Sequence, residues 1–340
     1  MAGKVTTVTH RIGHRQIAGL TKPAIAWAFC TTVPEVTTPD LPTLLASGEH
    51  AAFHGKPAAA IGALEEAVVV ARSQGLVSEM AAAAWLLGVA LGAGGRYGGA
   101  LTVLSPLVEA GSAEDAPPEH RLFGALSGST IASIQRQLGR HAIAREADLD
   151  ALELTDGTGE AAFDALLGLA SDAVGMDESE EAVSRLAEAE AVIPGRGDEW
   201  WRQMVRLGWT RAEVSLLDGR PEEAVAHAAE AVQRAENSRA PRHVAKGLLV
   251  LGLAQVSSGD DQVVNTLRRS ATFAESLGCL PLIWPSRALL GALVADTDRV
   301  ESDKSLGAAR SAVLAIAGDL PPGVRAEWLS RPDINALLEG

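Results

Sequence analysis

Residues 206–231 read RLGWTRAEVSLLDGRPEEAVAHAAEA, and this stretch is the unit that the chain repeats. It predicts one helix, a tight turn at Asp218–Gly219–Arg220, and a second helix opened by Pro221, where a missing N–H costs least. Four small residues, Ala212, Gly219, Ala224 and Ala231, are separated by steps of seven, five and seven. Two helices cross closely only where the crossing carries no bulk, so small residues belong at the contacts. A glycine between them supplies the left-handed backbone that ends the first helix.

The same grid runs along the chain. Gly48, Gly55, Ala60 and Ala67 form one copy, and Ala132, Gly139, Ala144 and Ala151 another. Gly88, Gly95 and Ala100 continue it with Leu107 as an exception; Gly168, Gly175 and Ala187 with Glu180; Gly252, Gly259 and Ala271 with Val264. Leaving out the turn glycines used as anchors, 15 of 18 grid places hold Ala or Gly. These residues are under a third of the chain, so chance would fill about five. One such hairpin cannot bury its apolar face alone, whereas a stack of them can, which predicts a solenoid.

The grid resembles the tetratricopeptide repeat. WLLGVALGAGGRYGGAL, Trp85–Leu101, carries a Trp, Leu and Gly opening, a turn glycine and a helix-B alanine. The opening is one residue shorter than that family's W-x2-L-G. The turn glycines are 40, 44, 36, 44 and 40 residues apart, longer than the usual repeat of about 34. That spacing is similar to the long-repeat variant of sensor regions in bacterial transcriptional regulators and signalling ATPases. The resemblance implies an all-α, right-handed α-solenoid of about seven helix-turn-helix hairpins over 41–318, preceded by a basic extension (1–40) without regular structure. A short C-terminal capping helix within 319–340 would use Trp328, Ile334, Leu337 and Leu338. Pro241 is expected to open the sixth pair, Asp198 to cap the fifth, and 194–197 to serve as a hinge.

Composition narrows the function classes. The formal charge is −14, and residues 1–40 carry four basic and two acidic residues, so the rest is more acidic still. Such a chain repels phosphate backbones, which excludes bulk nucleic acid as a partner. The two cysteines, Cys30 and Cys279, form no CxxC pair, as in a reducing cytosol. No apolar run is long enough to span a membrane. The basic start and the run Ala24–Val33 faintly suggest a signal peptide, but the apolar run is short and Pro23 interrupts it. A cytoplasmic location is the expectation.

No residue pattern declares a chemistry. The cluster Gly92–Gly99 lacks the P-loop and dinucleotide fingerprints and reads as a turn. His50 and His54 have the one-face spacing of a metal pair, without the Glu of HExxH and at a helix end, so no metal or other cofactor is assigned. Trp200 and Trp201 point about 100° apart on a helix, so one of them is expected between hairpins and the other nearer an interface.

The resemblance places ligand-facing residues on the concave face, at fixed offsets from each helix-A small residue. That register selects Trp85 and Val89, then Ser133 and Arg136, then Arg206, Trp209, Glu213 and Leu216, then Lys246, Leu249 and Leu253. Arg206, Trp209 and Lys246 would form a cationic and aromatic patch suited to a carboxylate or an acidic peptide. Core packing of the two tryptophans is the competing reading of the same spacing. The site expected is therefore Trp85, Arg136, Arg206, Trp209, Glu213 and Lys246, on a non-enzymatic scaffold that holds a protein or peptide in its groove. A regulatory sensor of a small molecule or signal peptide is the alternative, and an enzyme built on helical hairpins the third.

Overall fold

In the computed structural model, the residues described are 40–193 and 198–340. The basic extension, with Cys30 and the i, i+4 pair His10 and His14, lies outside them up to residue 39, as does the 194–197 connector read as a hinge. Among the described residues there is no strand. Seven antiparallel pairs follow one another: α1 (Leu41–His54) with α2 (Pro57–Gln74), α3 (Val77–Ala93) with α4 (Tyr97–Gly111), and α5 (Pro118–Gln137) with α6 (His141–Glu153). Then come α7 (Gly159–Gly175) with α8 (Ser179–Val192), α9 (Trp201–Leu217) with α10 (Pro221–Asn237), α11 (Pro241–Ser258) with α12 (Val263–Leu277), and α13 (Leu280–Leu293) with α14 (Arg299–Asp319). Two short helices, α15 (Pro322–Leu329) and α16 (Pro332–Glu339), end the chain, where one was expected.

The small-residue grid marks where helices cross. A side chain at Gly48 would collide with Leu64, one at Gly88 with Leu104, and one at Gly252 with Leu267. Ala60, Ala67, Ala100, Ala132, Ala144, Ala212 and Ala224 are fully buried. Left-handed backbone ends the first helix at Gly95, Gly139, Gly219 and Gly259, all with φ between 70° and 82°.

Two turn glycines behave otherwise. Gly55 is extended (φ −120°). In the fourth pair the left-handed residue is Asp177 (φ 63°), two positions beyond Gly175. Counted from Asp177, the seven-five-seven steps fall on Ala170, Ala182 and Ala189, which are fully buried, whereas Ala187 and Glu180 are exposed. The apparent exception at Glu180 was an error of register, because an Asp had taken the turn position. Asp198 is corrected as well. It starts a 3-10 turn, Asp198–Trp200, and α9 begins at Trp201 with no side-chain cap.

The solenoid closes on itself. Gly95, in the second hairpin, packs against Leu280 and Ile316 of the seventh. The Gly99 N–H donates to Asp319 Oδ2 (3.1 Å), and Arg331 donates to the Gln137 carbonyl (3.3 Å). The end of the chain lies against this seam. Trp328, Ile334 and Leu337 share one core with Leu104, Ile134, Leu138 and Ile316, and Trp328 is 1% exposed. On the other side His54 of α1 meets Trp201 of α9, ring centroids 5.0 Å apart. What reads from sequence as an open groove is thus a central cavity. The closing contacts are too distant in sequence for the repeat pattern to encode.

Candidate functional site

The cavity has a volume of about 610 Å³, and the first helix of every hairpin contributes to its wall. Trp85, Arg136, Arg206, Trp209, Glu213 and Lys246 all line it, as do Val89, Ser133 and Leu249. Leu216 and Leu253 do not: Leu216 packs into a neighbouring core and Leu253 is exposed.

The wall is cationic inside an acidic protein. Arg136, Arg202, Arg206, Arg242 and Lys246 face it, against the carboxylates Asp164 and Glu213. Most of these cations already have partners. Arg136 lies between two buried carboxylates, pairing with Asp148 and with Asp172 (2.9 Å), and donates to the Gly168 carbonyl (3.3 Å). Gly168 is required there, because a side chain would occupy the Asp148 carboxylate. Burial pushes Asp148 up to about 7 despite the opposing Arg136 charge, since Asp172 competes for the same cation.

Arg206 pairs with Asp164, whose other oxygen accepts from Arg202 (3.2 Å). Burial raises the Asp164 carboxyl, but the two guanidiniums outweigh it and hold the group below its usual range. Lys246 reaches Glu213 at 3.3 Å. Arg136 and Arg206 therefore fasten adjacent hairpins together while presenting a flank to the cavity.

Aromatic rings fill the rest. Trp209 stacks on His243 (5.6 Å, 21° between planes), and Trp201 meets the same imidazole edge-on (5.0 Å). His243 is 2% exposed and has no hydrogen-bond partner on Nδ1. Burial, then Arg242, Arg202 and Arg206, drive its pKa well below the usual value, so it is neutral. Trp85 leans on Phe53 and Phe123, and its Nε1 donates to Thr130 Oγ1 (3.3 Å). Neither of the paired tryptophans is exposed. Trp200 packs edge-on against Phe163, whereas Trp201 packs against His54 and His243. Both are half-buried, each in its own core.

Sequence reasoning missed Arg202 and Arg242. Both lie ten residues before the helix-A small residue, at Ala212 and Gly252, one turn beyond the offsets considered. Extending the concave stripe by that turn would have found them. His243 and Trp284, which also line the cavity, carry no signal of this kind.

Among the described residues no three His, Cys, Asp or Glu side chains converge as metal ligands. His50 and His54 stack ring on ring (5.2 Å), and His54 Nδ1 faces the Arg239 carbonyl (3.4 Å). The Cys279 thiol is buried and pushed up to about 11 by burial, with Arg242 opposing. It is protonated at neutral pH and a poor nucleophile. Among the described residues no helix is long and apolar enough to cross a membrane.

These features define a class: a closed, TPR-like α-solenoid with a cationic and aromatic central cavity. Solved structures share the fold. A Rap protein complexed with Competence and Sporulation Factor aligns at 12% identity over 87% of this chain and 79% of its own, with a TM-score of 0.56. The Rap conjugation gene regulator of the plasmid pLS20, in complex with a Phr peptide, aligns at 16% identity over 85% and 80%, with a TM-score of 0.62. At that identity the likeness concerns the fold. No protein-family model matches the chain, and no curated protein does.

Proposed function

We propose that this protein is a non-enzymatic regulatory scaffold that binds a short peptide in its central cavity. The observation carrying the reading is the cavity itself: about 610 Å³, walled by the first helix of all seven hairpins, with cations set among Trp85, Trp209 and His243. Rigid aromatic faces supply contact area at low entropic cost, and guanidiniums supply directional bonds to carboxylates and carbonyls. Of the two Rap proteins of the same fold, one is described in complex with a Phr peptide and the other with Competence and Sporulation Factor, which supports the reading.

The cavity size also fits a small organic ligand, within the range of about 300–1,000 Å³ common for such sites. A small-molecule sensor is the second reading for that reason. In either case the closed seam between the second and seventh hairpins gives the ligand two distant segments to bias, which is what a regulator needs.

Selection from a random pentapeptide library tests the proposal, with Ser133→Trp as the comparison. Ser133 lines the cavity and is half-buried, so an indole there fills the space. Arg206→Glu is a poor variant, because it would set a carboxylate against Asp164. The wild type should enrich a defined set of sequences and Ser133→Trp should not. Equal enrichment by both would place binding elsewhere.

A further inference from the structure

Four of the five cavity cations are matched by carboxylates; the fifth is not. Among the described residues Arg242 makes no ion pair, and its Nε is buried without a hydrogen-bond partner. It stands near the start of α11, one turn before Lys246, and shares the cavity wall with Arg202 and Arg206. Burial lowers its affinity for its proton, the nearby Cys279 opposes this, and the charges of Arg202 and Arg206 lower it further. An unpaired guanidinium held this way costs the free protein stability, and an anion placed beside it removes that cost.

The neighbouring polar atoms point to the same ligand chemistry. The Arg242 guanidinium, on the cavity wall, can only donate. The imidazole of His243, next in sequence, lines the same wall nearly fully buried, and the neutral ring carries one donor and one acceptor nitrogen. The indole N–H of Trp209 is directed elsewhere, against Gly247, where a Cβ would come within 3.2 Å of it. Trp209 therefore offers its ring and not its N–H. The subsite thus sets a guanidinium that can only donate, and one imidazole N–H, beside an aromatic face.

We infer that Arg242, with His243 and the ring of Trp209, forms an oxyanion subsite that binds the carboxylate of an acidic or free C-terminal residue in the peptide. This rests on the peptide-binding reading above and names the part of the cavity that sets the ligand's charge. Arg206, the first candidate in sequence, is held in a pair with Asp164, which it shares with Arg202; Arg242 is the cavity cation without a carboxylate partner.

The test runs the pentapeptide selection in two forms, free acids and C-terminal amides, against wild type, Arg242→Gln and Arg242→Lys. Phenyl phosphate and inorganic phosphate are titrated in parallel as peptide-free oxyanions. Peptides enriched by the wild type should carry Asp or Glu or require the free acid. Arg242→Gln should weaken them about tenfold or more, the size of one charge-assisted hydrogen bond, and Arg242→Lys should restore part of it. Arg242→Gln should also melt no lower than wild type without ligand, because it removes an unpaired charge. Neutral or basic peptides bound equally by wild type and Arg242→Gln would overturn the subsite and leave the peptide reading standing. If no peptide is enriched, the peptide reading fails. Arg242-dependent binding of phenyl phosphate would then sustain an oxyanion site for phosphate instead of carboxylate, and its absence would overturn the subsite too.

Discussion

Trp209 and His243 lie ring on ring, centroids 5.6 Å apart, and Trp201 meets the same imidazole edge-on. The enclosure keeps His243 neutral, with a native pKa far below its unfolded value of about 6.5. Above that pH both states are neutral and the group adds nothing. Below it the unfolded chain takes a proton that the native chain refuses, so stability falls. The melting temperature of the wild type should drop more between pH 7.5 and 5.5 than that of His243→Phe. Parallel profiles would contradict the enclosure.

Asp148 has the opposite sign. Its carboxyl is raised to about 7 in the folded chain by burial, beside a single cation shared with Asp172. Between about pH 4 and 7 the native state holds a proton that the unfolded state has released, so this group's contribution declines as pH rises. Asp148→Asn keeps an acceptor for Arg136 without the charge. Relative to wild type, the variant should gain stability from pH 5 to pH 8 in chemical denaturation. Arg136→Met should cost about 3–5 kcal/mol at pH 8, since it leaves both carboxylates uncompensated.

Helix glycines should respond according to what faces them. Gly88→Ala drives a methyl into Leu104 and should cost about 1–3 kcal/mol. Gly62, in the middle of α2, faces open space. Gly62→Ala should stabilise by about 0.5–1 kcal/mol through helix propensity alone. Denaturation midpoints of the two variants should move in opposite directions.

The last two helices should be part of the cooperative fold. Trp328 is among the largest fully buried side chains and joins the core of the second and third hairpins. Trp328→Ala should cost about 3–5 kcal/mol and raise hydrogen exchange along α4 and α14 as well as in α15. A loss confined to residues 320–340 would mean the cap is an appendage.

The repeat was legible because helix crossings demand small residues at fixed steps, and Ala212, Gly219, Ala224 and Ala231 state those steps directly. Reading failed where another residue took a backbone role, as Asp177 took the glycine's place. Six expected site residues reach the cavity, since the concave face follows from the same register. Their partners did not follow. Nothing local joins Arg206 to Asp164 or Arg136 to Asp148 and Asp172, so residues engaged in hairpin-to-hairpin pairs looked available for a ligand. Closure was invisible for a related reason: Gly95 meets Ile316 across more than half the chain.

The most direct measurement is a calorimetric titration of the peptide best enriched by the wild type, into wild type and into Ser133→Trp of matching melting temperature. One peptide bound per chain by the wild type, with no heat of binding for Ser133→Trp, is the predicted result. Equal affinity for both proteins would show that the ligand does not occupy the central cavity, and the account would fail.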